Sequence, residues 1–131
     1  MMEKNKILVI EDNEQNMYLV NFILESHGYQ VVQAFDGVQG ISLAHQQQPD
    51  LILLDIQLPI MDGYAVAREL RKNETLLKVP IVAVTSYAMT GDREHALAAG
   101  CTGYIEKPID PDTFMPQVEQ YLHPQVGKDA Q

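Results

Sequence analysis

The sequence predicts an α/β fold in which five parallel strands alternate with five helices. Short apolar runs rich in Ile and Val, bounded by polar and turn residues, have the pattern of strands buried on both faces. Longer amphipathic stretches separate them, as expected for the crossover helices that parallel strands require. Strands are predicted near 6–11, 29–34, 50–55, 80–86 and 103–106, and helices near 13–27, 36–47, 62–72, 91–99 and 110–122.

Residues suited to helix ends lie at the joints between these elements. The predicted C-caps are Gly28, Asn73 and Gly100, and the predicted N-caps are Asp36, Asp62 and Asp110. Right-handed connections between parallel strands leave few topologies. The economical one for five units is a flavodoxin-like doubly wound (βα)5 sandwich with strand order 2-1-3-4-5, which makes the loops after strands one and three neighbours.

Length, charge and cysteine content exclude several classes of protein. With 131 residues, 46% of them hydrophobic, the chain fits one domain over 1–123, followed by a polar tail over 124–131. A net charge of −9 argues against nucleic-acid binding. One cysteine, Cys101, excludes an internal disulfide and suits a reducing compartment. The sequence shows no signal peptide and no membrane span, so we expect a cytoplasmic protein without membrane partners.

Four of the apolar runs end on reactive polar residues. Asp12, Asp55, Thr85 and Lys107 follow or close the first, third, fourth and fifth predicted strands. The carboxyl ends of parallel strands share one edge of the sheet, so these side chains can converge in the crevice where such sheets bind ligands. The sequence thus predicts a site with two carboxylates, a hydroxyl and an ammonium group.

Each of these residues also has an ordinary structural explanation. Asp12 could favour a helix start, Thr85 could simply end a strand, and Lys107 could be a solvated loop residue. Asp55 is harder to explain this way, because the residues after it do not start a helix directly. The bond between Lys107 and Pro108 is a candidate for the cis form, which would fix the direction of the lysine side chain. Their occurrence at the same end of four strands favours a functional site.

The residue types indicate phosphoryl transfer. Glu11, Asp12 and Asp55 repel one another unless a cation is present, and a hard divalent ion such as Mg²⁺ suits their oxygen ligands. An aspartate beside such an ion, with a lysine and a hydroxyl in reach, is equipped to attack phosphorus and hold an acyl phosphate.

The same residues resemble a known family. Over residues 5 to about 122 the chain resembles the receiver domain of two-component response regulators, either a single-domain regulator or the receiver of a hybrid histidine kinase. The resemblance is carried by Glu11-Asp12, Asp55, the loop Leu58-Pro59-Ile60-Met61-Asp62-Gly63, Thr85-Ser86 and Lys107-Pro108.

The resemblance implies a role for each residue of the set. Asp55 is the phosphoacceptor, and Asp12, Asp55 and the main-chain carbonyl of Gln57 hold Mg²⁺ with support from Glu11. Thr85 and Lys107 bind the phosphoryl oxygens. Thr85 and Tyr104 form the switch, in which the tyrosine ring turns inward when the threonine moves toward the phosphate.

The resemblance also implies the partners. The donor is a phosphohistidine on a histidine kinase or a histidine phosphotransfer protein, and the output is phosphorylation-dependent binding of a downstream target protein. The domain is then no enzyme beyond its own phosphorylation and slow dephosphorylation. A phosphatase of the haloacid dehalogenase type also uses an aspartate nucleophile, but it needs an acid at the position of Gln57. A flavodoxin is disfavoured because Glu11 and Asp12 would repel its phosphate.

Helical periodicity predicts two faces on the first helix. One stripe should face the sheet, and it consists of Met17, Val20, Leu24 and His27. The opposite stripe, Gln15, Leu19 and Phe22, is the candidate surface for the histidine-bearing partner, because by resemblance this helix packs against the donor's helices. Two further residues, Gln57 and Tyr87, flank the pocket two positions after Asp55 and Thr85, where the bulk of Tyr87 should slow hydrolysis of the acyl phosphate.

Overall fold

Five parallel strands form one sheet with helices on both faces in the computed structural model, which describes residues 5–86 and 90–123. The strand order is β2-β1-β3-β4-β5, so the predicted fold class is confirmed. The strands are β1 (Lys6–Ile10), β2 (Gln30–Ala34), β3 (Leu51–Asp55), β4 (Ile81–Thr85) and β5 (Gly103–Glu106). The helices are α1 (Glu14–Ser26), α2 (Gly37–Gln47), α3 (Gly63–Leu70), α4 (Thr90–Ala98) and α5 (Pro111–Leu122), with a 3₁₀ turn, η1, at Glu74–Leu76.

The core consists of two apolar layers, one on each face of the sheet. β1, β3 and β4 are almost entirely buried because helices cover both of their faces. In the register, Ile10 lies opposite Leu54, so the residues that follow β1 reach the end of β3. This pairing, set by apolar strands, is what brings the first and third loops together.

Side-chain caps begin the helices where the sequence predicted them. Asp36, Asp62 and Asp110 each accept a backbone N–H of the helix that follows, as N-caps do. Gly28 and Gly100 follow the ends of α1 and α4 with φ of +89° and +110°, a conformation that glycine adopts without steric penalty.

The predicted end of α3 was wrong. The helix ends at Leu70, and Asn73 does not cap it. Instead the Asn73 side chain accepts the N–H of Thr75 and starts η1, an element that the sequence analysis did not predict. Asparagine suits both positions, and a single 3₁₀ turn has no periodicity by which it could be recognised.

The buried stripe of α1 was partly right. Met17, Val20 and Leu24 are buried, but His27 is exposed and Ile23 is buried in addition. The helix ends at Ser26, and His27 leaves the helical conformation with φ −98° and ψ 9°. Extending the helical period to residue 27 therefore placed the histidine on the wrong side.

Two predictions lie outside the described residues. They concern Tyr87 and the polar tail over 124–131. Within 5–86 and 90–123, none of the helices combines the length and the apolar character needed to cross a membrane.

Candidate functional site

The ends of β1 and β3 bring three carboxylates together. Glu11, Asp12 and Asp55 each place an oxygen within 4.8 Å of the others. Glu11 and Asp55 are buried, while Asp12 is exposed at the rim. The predicted convergence of Asp12 and Asp55 is therefore present, with Glu11 as a full member of the cluster.

Lys107 reaches this cluster from the end of β5. Its Nζ lies 3.3 Å from Glu11 Oε1 and 3.2 Å from Asp55 Oδ2. The backbone fixes its position, because the Lys107 N–H donates to Thr85 O at 2.8 Å. The peptide bond to Pro108 is cis, as the sequence suggested. One ammonium group thus bridges two buried carboxylates.

Backbone N–H groups hold the other oxygens of the two buried acids. The Asn13 N–H donates to Glu11 Oε2 at 3.1 Å, and the Gln57 N–H donates to Asp55 Oδ1 at 3.0 Å. Each donor lies two residues after its acceptor, so the loop itself orients the carboxylate. The carboxylates are fixed before any ligand binds, which is the preorganisation that electrostatic catalysis requires.

The site is short of positive charge. Burial, followed by the neighbouring Asp55 carboxylate, raises the pKa of Glu11 from 4.5 to about 7, although the Asn13 amide and Lys107 act in the opposite direction. Among residues 5–86 and 90–123, Lys107 is the one ammonium group paired with these carboxylates, and the excess negative charge favours a proton or a cation at the cluster. The repulsion could be predicted from the sequence, but the Glu11–Lys107 ion pair could not, because it depends on how far the lysine side chain extends.

Thr85, Ser86 and Gln57 lie where β4 and β3 end, next to Asp55. Thr85 is buried at the end of β4, one residue beyond Val84, which pairs with Asp55 in the sheet. Gln57 is exposed, and its side-chain oxygen accepts the Ser86 N–H at 3.4 Å. The loops after β3 and β4 are therefore linked directly beside Asp55.

Tyr104 lies on β5, three residues before Lys107. It is half-buried and packs against the core layer that contains β4 residue Ala83, its partner in the sheet. The guanidinium carbon of Arg93, from α4, lies 5.8 Å from the ring centroid. The ring thus packs against the core on one side and lies near the guanidinium of α4 on the other.

The outer face of α1 differs from the predicted stripe. Gln15 and Phe22 are exposed, but Leu19 is half-buried and packs against the core, so its assignment to the solvent face was wrong. Tyr18, which the sequence analysis missed, is 73% exposed and stacks on Phe22 at a ring-centroid distance of 6.5 Å. Their i, i+4 spacing was the available signal.

The donor set fits a hard divalent cation. The three residues offer only carboxylate oxygens, the ligand type that Mg²⁺ and Ca²⁺ prefer. Two of them are buried and already oriented, and the third is open to solvent, which leaves room for water ligands. The chemistry of this cluster thus suits an ion that keeps part of its hydration shell.

Comparisons with known proteins agree on one family. Residues 7–119 match the family model described as the response regulator receiver domain. The polar-differentiation response regulator DivK of Brucella ovis (strain ATCC 25840 / 63/290 / NCTC 10512) is 40% identical over 116 residues, covering 88% of this chain and 94% of DivK.

Solved structures agree with the sequence relatives. The receiver domain of the sensor histidine kinase PA1611 from Pseudomonas aeruginosa PAO1 has a magnesium ion coordinated in its active site cleft. It is 38% identical with a TM-score of 0.84, covering 92% of this chain and 98% of that one. A CheY-like receiver from Methanospirillum hungatei JF-1 is 27% identical with a TM-score of 0.86, covering 96% and 99%. The chain belongs to the family of response regulator receiver domains.

Proposed function

We propose that this receiver accepts a phosphoryl group on Asp55 from a phosphohistidine, in a Mg²⁺-dependent reaction in the cytoplasm, and signals by phosphorylation-dependent binding of another protein. The observation that carries the proposal is the convergence of Glu11, Asp12 and Asp55 on the ammonium of Lys107. A core position would not gain from three repelling carboxylates, whereas a phosphoryl-transfer site requires them with a cation.

The proposed metal ligands are Asp12, Asp55 and the main-chain carbonyl of Gln57, with Glu11 supporting the shell. The carboxylate cluster and the magnesium ion in the similar Pseudomonas receiver support this choice. When bound, Mg²⁺ would neutralise the carboxylates and the incoming phosphoryl oxygens, which otherwise repel one another.

The transfer itself is a displacement at phosphorus. An oxygen of the Asp55 carboxylate forms the new P–O bond while the P–N bond of the donor histidine breaks, and the bonding electron pair returns to the imidazole nitrogen. The Lys107 ammonium and the Thr85 hydroxyl hold the phosphoryl oxygens as charge builds on them. Lys107 is already within 3.2 Å of the acceptor carboxylate, so it needs little movement.

The proposed output begins at Thr85 and ends at Tyr104. Thr85 moves toward the phosphoryl group, which leaves room for the half-buried Tyr104 ring to turn inward. Because Arg93 of α4 lies over this ring, the turn changes the surface between α4 and β5. A downstream target protein reads that surface.

The proposed contact with the histidine protein is the outer face of α1. Phe22 is 60% exposed and stacks on exposed Tyr18, which leaves a sizeable aromatic area open beside Gln15. Leu19 is a poorer test residue than the sequence suggested, because its removal would also disturb the core. Phe22→Ala should weaken transfer from the histidine protein, whereas Glu25→Ala on the same helix should not.

Incubation with phosphoramidate and Mg²⁺ tests the proposed function. We expect the intact mass to rise by one phosphoryl group, and hydroxylamine to remove it, as it removes acyl phosphates. Sustained hydrolysis of p-nitrophenyl phosphate in place of this single modification would instead indicate a phosphatase. A pull-down with the phosphorylated chain against Asp55→Asn should then identify the target as a protein bound only by the former.

A receiver within a hybrid histidine kinase is the second candidate. The 38% identity to the receiver of a sensor kinase favours it, while the 94% coverage of DivK favours a single-domain regulator. The length of the native polypeptide on an immunoblot from the host decides between them.

A further inference from the structure

The loop after Asp55 contains a strained turn with Ile60 at its centre. The Met61 N–H donates to Pro59 O at 2.6 Å, which closes a three-residue turn, and the φ of Ile60 is +68°. A γ-turn with positive φ is the rarer and more strained form. Positive φ is especially unfavourable for a β-branched residue such as isoleucine, whose Cβ carries two carbon substituents.

The residues on both sides hold this turn in place. Leu58 is buried, and Met61 is half-buried and packs against the core. Asp62 caps α3 through the Ala65 N–H, and the Gly63 N–H donates to Ile56 O at 3.0 Å. With the loop anchored before and after it, the chain directs the side chain of Ile60 outward.

Ile60 gains nothing from folding in this position. Its side chain is 99% exposed, the largest exposure among the exposed large hydrophobic residues of the described chain. The fold therefore bears both backbone strain and an apolar side chain in water, and glycine or asparagine would avoid both. A strained backbone that the surrounding structure enforces is a feature of functional sites.

The position of Ile60 relative to Asp55 indicates the function. Asp55 is only 3% exposed, so a histidine on another protein must enter the pocket to reach it. The surface of that protein around the histidine must then lie against the residues that surround the pocket. The turn lies close to Asp55 along the chain, since it begins four residues later, and the Gly63 N–H ties the end of its loop to Ile56, the residue that follows Asp55. A small phosphodonor enters without touching the residues that surround the pocket.

We propose that Ile60 is a specificity-determining residue, an apolar contact for the protein that carries the phosphohistidine. This inference rests on the proposed function, since it assumes transfer to Asp55. Ile60 does not touch the reacting atoms. It lowers the free energy of the complex with a protein donor, in which an apolar surface next to the donor histidine covers the exposed side chain.

The test compares two kinds of donor on four chains. The chains are the parent, Ile60→Gly, Ile60→Met and the control Val38→Ala, which alters another β-branched residue that is 67% exposed, on α2. The small donor is phosphoramidate, which has the same P–N bond as phosphohistidine. The protein donor is the phosphohistidine protein, among those of the host, that transfers fastest to the parent chain.

We expect Ile60→Gly to lose about tenfold or more in kcat/KM with the protein donor, mainly through KM, because burial of one apolar side chain is lost. Its rate with phosphoramidate should stay within about twofold, and its Tm should be unchanged or raised by up to about 4 °C as the strain is relieved. Ile60→Met should retain most of the transfer, and Val38→Ala should match the parent with both donors.

Equal transfer from the protein donor to the parent and to Ile60→Gly would overturn the inference. So would equal losses with both donors, since these indicate a change in the site itself. The absence of any active protein donor, with phosphoramidate still active, would also contradict it. If phosphoramidate fails to modify Asp55 in the parent, the proposed function is what fails.

Discussion

Asp12 and Glu11 are adjacent in sequence but differ in their surroundings. Asp12 is exposed at the edge of the carboxylate cluster, whereas Glu11 is buried and shares the Lys107 ammonium with Asp55. The Asp12 side chain is therefore available as a metal ligand at little cost to folding. The Glu11 side chain is part of the charge balance of the folded site, so substitutions of the two residues should have different effects.

Replacement of Asp12 should separate function from stability. We expect Asp12→Ala to abolish phosphorylation of Asp55, because a proposed ligand of Mg²⁺ is lost. Its Tm in metal-free buffer should be unchanged or higher, since one repelling carboxylate is removed. Glu14→Ala, at an exposed acid just outside the cluster, is the control. A marked fall in Tm for Asp12→Ala alone would show that this residue has a structural role.

The raised pKa of Glu11 makes metal-free stability depend on pH. The pKa of Glu11 is about 7 in the folded state and 4.5 in the unfolded chain. Between these two pH values the folded state therefore binds more protons than the unfolded state. The contribution of Glu11 to stability is then complete below about pH 4.5 and is lost as the pH rises to 7. Urea unfolding in EDTA should show this loss in the parent and in Glu94→Gln, but not in Glu11→Gln. Identical pH profiles for all three chains would contradict the shift.

Close packing between the start of α3 and the end of β3 holds β3 in place. A Cβ at Gly63 would lie 2.5 Å from Ile56 Cα and 2.6 Å from Asp55 O, both of them backbone atoms that cannot turn aside. The start of α3 therefore lies directly against Asp55, the proposed phosphoacceptor. Only glycine permits this approach.

Gly63→Ala should disturb both stability and the site. We expect a loss of about 2 kcal/mol, because the overpacked backbone must shift, and slower modification of Asp55 by phosphoramidate. Gly91→Ala on α4 is the matched control, since a Cβ there has no heavy atom within 4 Å and should leave stability equal or higher. Chemical denaturation of both variants measures the difference, and similar stabilities would refute the packing argument.

Arg71 joins three elements at the opposite end of the sheet. Its Nε donates to Gly100 O at 2.8 Å, and its Nη1 donates to Leu76 O at 2.6 Å and to Val79 O at 2.8 Å. One side chain thus donates to carbonyl groups in η1, just before β4 and just after α4, and ties these segments together. The Leu76 carbonyl also accepts the Val79 N–H at 3.2 Å.

Loss of this guanidinium should destabilise the fold without touching the site. Arg71→Met keeps much of the side-chain bulk but removes the hydrogen bonds that the guanidinium donates to the Val79 and Gly100 carbonyls, so we expect a loss of about 2–3 kcal/mol. Arg68→Met, at an exposed arginine one turn earlier, should change stability by less than about 0.5 kcal/mol. Urea unfolding measures both stabilities, and equal effects of the two substitutions would show that the hydrogen bonds of Arg71 do not stabilise the fold.

At the scale of the whole molecule, the sheet explains why a buried site forms from residues far apart in sequence. Parallel strands place every carboxyl end on one edge, so Glu11, Asp55, Thr85 and Lys107 meet without any local motif. Helices on both faces bury the strands and hold their register. The same arrangement that forms the core therefore assembles the charges.

Much of this could be predicted from the sequence. The apolar runs fixed the strands, aspartates at 36, 62 and 110 marked helix starts, and the shared strand edge indicated the site. These features follow from local pattern and one topological rule. Details set by tertiary packing could not be predicted in this way.

The wrong predictions concerned details that tertiary packing determines. His27 and Leu19 were placed by extending an ideal helical period, but α1 ends before His27, and Leu19 packs against the core. Asn73 was assigned to the wrong one of two adjacent turns. The strained turn at Ile60 gave no sequence signal, because positive φ is not expected of isoleucine.

The central claim is that Asp55 is a Mg²⁺-dependent phosphoacceptor, and its most direct measurement is the occupancy of this residue by mass spectrometry. The parent and Asp55→Asn are treated with phosphoramidate in Mg²⁺ or in EDTA, digested, and mapped. We expect one phosphoryl group on the peptide containing Asp55, in the parent with Mg²⁺ only. Modification of another residue, or equal occupancy of Asp55 in EDTA, would contradict the account.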